Sequence, residues 1–157
     1  ALKLPQTREP ELHPGMLLLD RIQDPGNLGT ILRTADAFDI PVVLTNGCAD
    51  PFSEKTVRAS MGAVFRTPPQ SIELEKLLKL CAEKNLPLAA TALSPTARDI
   101  REVELSDKLA VIGSEGQGIC AELLAASQTQ VIIPMSPRCE SLNAAVAAAL
   151  VLWQMKR

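Results

Sequence analysis

The chain has 157 residues, the length of one domain, and a globule of that size builds its core without disulfide staples. With 46% hydrophobic and 22% charged residues it is not an intrinsically disordered chain. A net charge of −2 supplies no global basic field for nucleic acid or anionic lipid, and three Phe, one Trp and no Tyr argue against a base-stacking platform. In chain order, residues 1–15 carry three prolines and no apolar period, and read as an extended arm or linker before a domain over 16–157. Met16 to Leu19 is the first strand, apolar enough to be buried on both faces. Leu28, Ile31, Leu32 and Ala35 then fall at helical spacing, with Thr30, Arg33, Thr34 and Asp36 on the opposite face; this helix stops near Asp39, before Ile40-Pro41. Val42 to Leu44 is a second strand, and Asp50-Pro51 opens a helix through about Ser60. Val64 and Phe65 read as a short strand before Pro68-Pro69. Residues 71–84 form an amphipathic helix with Ile72, Leu74, Leu77, Leu78 and Cys81 inside.

Leu86 to Ala92 is strand-like, and Ser94 to Glu104 reads as an irregular loop. Leu109 to Ile112 is a buried strand ending at Gly113, Ile119 to Ala126 a short helix, and Val131 to Ile133 the last strand. Residues 141–155 close the chain as a helix that is apolar on every side after Asn143. Such a helix is covered all round, either by another subunit or by this domain's own core. Strands alternating with helices imply an α/β fold, a mostly parallel sheet with helices on both faces. Its sites lie in the loops after the carboxyl ends of the strands. No apolar run approaches the roughly 20 residues of a membrane span. Cys48, Cys81, Cys120 and Cys139 lack the close spacing of a metal site, with only His13 to add an imidazole, so no metal is expected. They read as buried thiols of a cytoplasmic protein.

Three loops carry the candidate chemistry. In the first, residues 20–33, Asp24-Pro25-Gly26 signals a turn, Asn27 is a good N-cap, and Arg33 projects about two turns into the helix. Its plain reading is a capped helix with a solvated Arg, and its functional reading is a phosphate site at the helix start. The second, residues 111–119, spaces its glycines G-x-x-G-x-G, unlike the dinucleotide fingerprint. Within it Glu115 is solvated, anchors loop amides, or pairs with an Arg. The third, residues 131–153, runs from a strand through Pro134 and Met135 into Ser141-Leu142-Asn143 at a helix start, where Ser141 is a candidate cap.

Five blocks, DPGNLGTILRTADAF, CADPFSEKTVRASMGAVFRTP, VIGSEGQGI, VIIPM and ESLNAAVA, occur in this order. Together they closely resemble the SpoU (TrmH-like) RNA ribose 2′-O-methyltransferases of the SPOUT superfamily, over about residues 16–155. The resemblance implies a C-terminal deep trefoil knot and a homodimer packed through the knot region and helix 141–155. It implies S-adenosylmethionine (SAM) as methyl donor, with Gly113, Ile133 and Leu142 among the matching binding positions and Leu93 and Met135 lining the adenine pocket. The substrate it implies is a ribose 2′-hydroxyl of transfer or ribosomal RNA. Arg33 matches the residue assigned to activating that hydroxyl. A guanidinium rarely gives up its proton, so binding the target phosphate and stabilising the alkoxide is the physically easier role. Asn27, Glu115, Ser141 and Asn143 match the other polar positions, expected to orient Arg33 and the ribose, in part across the dimer.

Two departures stand out. Asp39 replaces the usual Gly after the first helix, a change that Asp tolerates in the left-handed conformation. Ala145 lacks the hydroxyl often found there. Only a short arm precedes the domain, as in a minimal member or, preferably, a catalytic domain cut from a longer chain. Arg21, Arg33, Arg58, Arg66 and Arg138 fall in or beside the blocks and are expected to gather into one basic patch. The alternatives are a non-catalytic SAM- or RNA-binding module of the same fold, and a nucleotide-binding protein of another kind.

Overall fold

Apolar strands without polar alternation require cover on both faces, and the computed structural model, which describes residues 10–157, supplies it. In β1 (Leu17–Asp20), Leu17 and Leu19 enter one core while Leu18 enters the other. The first core holds α1 (Pro25–Ala37) through Leu28, Ile31 and Leu32, and α6 (Ala144–Met155) through Ala148, Val151 and Leu152. The second holds α4 (Leu74–Glu83) through Leu77 and Cys81, and α5 (Ala121–Ala126) through Leu123. Between lie β2 (Val42–Thr45), α2 (Glu54–Ser60), α3 (Ala63–Arg66), β3 (Gln70–Ile72), β4 (Leu88–Thr91), β5 (Arg98–Asp99), β6 (Leu109–Gly113) and β7 (Thr129–Ile132).

The strands of the described residues form one parallel sheet in the order β3-β2-β1-β6-β4-β7-β5. From β1 the chain first builds outward through β2 and β3, then crosses to the other side. The switch point therefore falls between β1 and β6, where Asp20 pairs with Gly113, and open sheets leave a crevice at such a point. Of the expected arm, residues 1–9 lie outside the described residues; Leu12 is buried in the second core and Gly15 N–H donates to Lys108 O.

Several expected elements differ. Val64 and Phe65 are helical, in α3, because Met61 and Gly62 take left-handed φ of 49° and 83° and turn the chain after α2. The strand comes later: Pro68-Pro69 enforce extension, and Gln70–Ile72 continue it alongside β2, so α4 starts at Leu74 rather than at 71. The expected loop 94–104 contains β5, held on β7, and a 3-10 turn, Ile100–Glu102. Asp50-Pro51 precedes α2 without opening it; Ser53 caps a helix that begins at Glu54. The cap of α1 is Asp24, not Asn27: its side chain accepts the Asn27 N–H at 2.8 Å, with Pro25 at the first helical position. Asp39 does take a left-handed φ, 51°. Of the thiols expected to be buried only Cys81 is; Cys48 and Cys120 are half-buried and Cys139 is exposed, and all four cysteines are free.

Candidate active site

The loop after β6 is a tight hairpin. Ser114 N–H donates to Gly118 O at 3.2 Å, and Gly118 N–H to Ser114 O at 2.9 Å. A Cβ on Gly113 would lie 2.2 Å from the Gly118 carbonyl carbon, so the start of the hairpin accepts bare backbone only. Glu115 leaves the hairpin toward α1 and α6. Its Oε1 accepts from Asn27 Nδ2 at 2.7 Å, Asn143 Nδ2 at 3.0 Å and the Ala144 N–H at 3.0 Å. Asn143 Nδ2 also donates to Asn27 Oδ1 at 3.0 Å.

Asn143, rather than Ser141, caps α6, its Oδ1 accepting from Ala145 and Val146 N–H. One asparagine thus caps a helix and joins the cluster. A carboxylate at the helix start, where unpaired N–H groups concentrate positive charge, adds to its hold. Glu115 is exposed, and it accepts from the side-chain amides of Asn27 and Asn143 and from the Ala144 N–H rather than from amides of its own loop; no Arg pairs with it among the described residues.

Beside the hairpin lies a cavity of about 730 Å³. All five expected cofactor positions, Leu93, Gly113, Ile133, Met135 and Leu142, line it, as do Glu115 and Ser141. Its volume suits a nucleoside-sized ligand, with an apolar wall for a flat base and exposed backbone around Gly113 to read the base edge. This donor set fits the expected cofactor. A second cavity of about 250 Å³, lined by Arg21, Gln23 and Asn27, shares Ser114, Glu115, Gly116, Gln117 and Ala144 with the first. The hairpin is the partition between them.

Arg33 stands apart. It is exposed on α1, lines neither cavity, and its side chain makes no hydrogen bond or ion pair among the described residues. Asn27, Glu115 and Asn143 therefore bind one another rather than orienting Arg33. Ser141 is exposed at the cavity wall. Of the five arginines expected in one patch, three meet carboxylates: Arg21 with Asp20, Arg58 with Glu54, and Arg66 with Asp36. The Asn27 amide and Lys55 hold the Asp24 carboxyl at the start of α1 below its usual range. Burial pushes the Cys120 thiol, at the hairpin's end, upward. Among the described residues no cluster of His, Cys, Asp or Glu is placed to hold a metal.

Sequence reasoning missed Asp20, which is 1% exposed. Its Oδ1 accepts the Thr45 hydroxyl and its Oδ2 the Cys120 N–H at 2.7 Å. A carboxylate closing a run of four apolar residues was the available signal, since buried charge requires partners.

The sequence profile of the SpoU rRNA Methylase family matches residues 14–153. The chain is 38% identical over 143 residues to the 23S rRNA (guanosine(2553)-2′-O)-methyltransferase of Bacillus subtilis, covering 90% of this chain and 57% of that protein. It is 35% identical over 154 residues to the tRNA (guanosine(18)-2′-O)-methyltransferase of Thermus thermophilus, covering 96% of this chain and 76% of that one. An AdoMet-bound rRNA methyltransferase from Sinorhizobium meliloti superposes with a TM-score of 0.84 at 36% identity, over 92% of this chain and 58% of the other. The chain thus spans little more than half the length of the Bacillus and Sinorhizobium proteins.

Proposed function

We propose that this chain, which belongs to the SpoU rRNA methylase family, transfers a methyl group from SAM to a ribose 2′-hydroxyl of RNA. One observation carries the reading: all five expected cofactor positions line a single cavity, with Glu115 in its wall. SAM supplies a methyl group already activated on a sulfonium. The protein has then mainly to align the acceptor oxygen and manage its proton. Leu93 and Met135 line the adenine pocket, and Gly113, Ile133 and Leu142 meet the cofactor mainly through their backbone.

Glu115, Asn27 and Asn143 fix the hairpin against the starts of α1 and α6, and Ser141 positions the ribose from the wall. Arg33, free of partners among the described residues, binds the target phosphate and stabilises the developing alkoxide. The Bacillus relative is named for ribosomal RNA and the Thermus relative for transfer RNA, so both RNA pools belong in the assay. Labelled SAM is offered with each pool to wild type and to Arg33→Ala. The variant loses at least about 100-fold in transfer, a loss in the range of one removed charge-stabilising group. Equal transfer by both proteins removes Arg33 from the mechanism. SAM binding without transfer to either pool selects the non-catalytic module instead.

The same reading includes a homodimer. Val146, Leu150 and Trp153 form one exposed apolar stripe on α6, at 49%, 43% and 63% exposure, while the opposite face fills the first core. A second copy covering the stripe brings Arg33 on the neighbouring α1 toward the partner's site. Sedimentation should return about twice 16.9 kDa, and Leu150→Asp should return the monomer mass. The reading also includes the deep trefoil knot, made by threading the segment after β7 through the loop that carries β5. Pairing of β7 on both edges, with α6 then returning to α1, supports it; an experimental trace through residues 91–143 tests it. The four free thiols support a cytoplasmic setting, and no helix of the described residues is long and apolar enough to cross a membrane.

A further inference from the structure

The geometry points to Arg21 as a positioning residue of the cofactor site, one that clasps the Ser114–Gly118 hairpin against the carboxyl end of β1. The inference rests on the proposed SAM reading of the cavity, and adds a residue that the family blocks do not single out as part of the site.

Arg21 follows β1 directly and takes a left-handed φ of 55°, a conformation that costs a non-glycine residue free energy and persists only when its surroundings enforce it. Those surroundings are present. Its N–H donates to Thr45 Oγ1 at 3.3 Å. The stem packs on Gly47, where an added Cβ would stand 3.1 Å from Arg21 Cγ. Nε and Nη2 lie against Asp20 Oδ2 at 3.4 and 3.3 Å. The twisted backbone aims the guanidinium across the switch point, where Nη1 donates to Gln117 Oε1 at 2.9 Å and Nη2 to Gly118 O at 3.4 Å.

An ion pair with Asp20 alone would need neither the backbone twist nor the reach. Asp20 Oδ2 also accepts the Cys120 N–H at 2.7 Å, and Asp20 pairs in register with Gly113. The hairpin is thus fixed at its start by the sheet, at its end by Asp20 and at its tip by Arg21. Gly113, Ser114, Gly116, Gln117 and Gly118 all line the larger cavity. Holding them in place before ligand arrives removes an ordering cost from binding. An Arg fork holds its donors in one fixed plane toward three acceptors, and loses less freedom per bond than a Lys ammonium on a flexible stem.

The test compares wild type with Arg21→Ala, Arg21→Lys and Gln117→Ala. Gln117→Ala removes the tip acceptor and leaves the turn at residue 21 intact; because Gln117 also lines the larger cavity, its amide exchange rather than its affinity decides the matter if Arg21→Ala does not fold. Amide hydrogen exchange of the ligand-free proteins should be faster across 114–119 in each variant and unchanged in β2. Calorimetric titration with SAM should show the dissociation constant rising about tenfold for Arg21→Ala and about threefold for Gln117→Ala, the scale of one or two lost hydrogen bonds. Arg21→Lys should fall between wild type and Arg21→Ala. The KM for SAM should follow the dissociation constant, with kcat falling less than about twofold. Wild-type exchange and affinity in Arg21→Ala and Gln117→Ala overturn the clasp. A fall in kcat at unchanged affinity overturns it too, and places Arg21 in the transfer step. If wild type itself binds no SAM, the functional reading fails, and the exchange comparison still decides whether the clasp exists.

Discussion

Replacing Glu115 tests whether one carboxylate holds three distant segments together. Its Oε1 accepts from Asn27 Nδ2, Asn143 Nδ2 and the Ala144 N–H at 2.7 to 3.0 Å. Hydrogen bonds to a charged acceptor contribute about 1.5–3 kcal/mol each when shielded. Glu115 is exposed, so water replaces much of each bond, and about 0.5–1 kcal/mol apiece is the reasonable scale. Glu115→Ala therefore costs about 2 kcal/mol in all, or about 4–8 °C in Tm for a chain of this length. Glu115→Gln keeps an acceptor oxygen for the three donors and loses only the attraction to the start of α6, about 0.3–1 kcal/mol. Urea unfolding should rank the proteins wild type, Gln, Ala, and a double-mutant cycle with Asn143→Ala should show coupling. Alanine and glutamine variants that unfold together, within about 0.5 kcal/mol of wild type, would refute the reasoning.

Gly29→Ala should cost about 1–3 kcal/mol, because its Cβ would stand 2.5 Å from Thr56 O and 2.6 Å from Ala59 Cβ, forcing α1 and α2 apart; an unchanged urea midpoint contradicts this. The Thr67 hydroxyl, then Arg66, hold the Asp36 carboxyl below its usual 3.8, so its contribution is present above that value and lost as pH falls through the lower folded value. Asp36→Asn should then shrink the loss of Tm on acidification from about pH 5 to 2, and an identical acid limb would exclude the contact as a stabiliser. If Arg33 and Arg138 each neutralise one phosphate, each alanine variant should flatten the plot of log affinity for single-stranded RNA against log salt by about 0.7. A slope that neither variant changes assigns phosphate binding to other residues.

The alternation of strand and helix was legible because buried parallel strands cannot carry polar alternation, and Leu17 to Leu19 or Leu109 to Ile112 have no other home. Short polar edge strands were not. Gln70-Ser71 in β3 and Arg98-Asp99 in β5 are each held by a single neighbour, β2 and β7, so pairing rather than composition makes them strands. Val64-Phe65 was ambiguous because two apolar residues fit either period, and the left-handed pair Met61-Gly62 decided the matter. The caps failed for a related reason. Asp24 and Asn27, and Ser141 and Asn143, are competing caps within one loop. Pro25 was the usable signal, since Pro prefers the first helical position and so places the cap at Asp24. The cavity residues were legible through the resemblance. The Arg21 clasp was not, because its acceptors at Gln117 and Gly118 become neighbours only when β6 enters the sheet beside β1.

One residue, Asn143, both caps α6 and holds Glu115 of the cavity wall, and this links two properties that are usually separate. Asn143 caps the helix with one end of its amide and reaches Asn27 and Glu115 with the other. The seat of α6 and the placement of Glu115 in the cavity wall therefore share one set of contacts. The docked face of α6 is buried, and its other face carries Val146, Leu150 and Trp153 in solvent, with Trp153 edge-on to Phe38 of the α1 end. On the dimer reading, a second copy that covers this stripe binds the docked state alone and stabilises it by mass action. Ala144 and Ala147 of α6 complete the cavity wall, so on the proposed cofactor reading ligand binding would favour the same docked state. On the proposed dimer and cofactor readings, two ligands that favour one state would help each other equally, and cofactor would tighten the dimer by the same factor by which the dimer tightens cofactor.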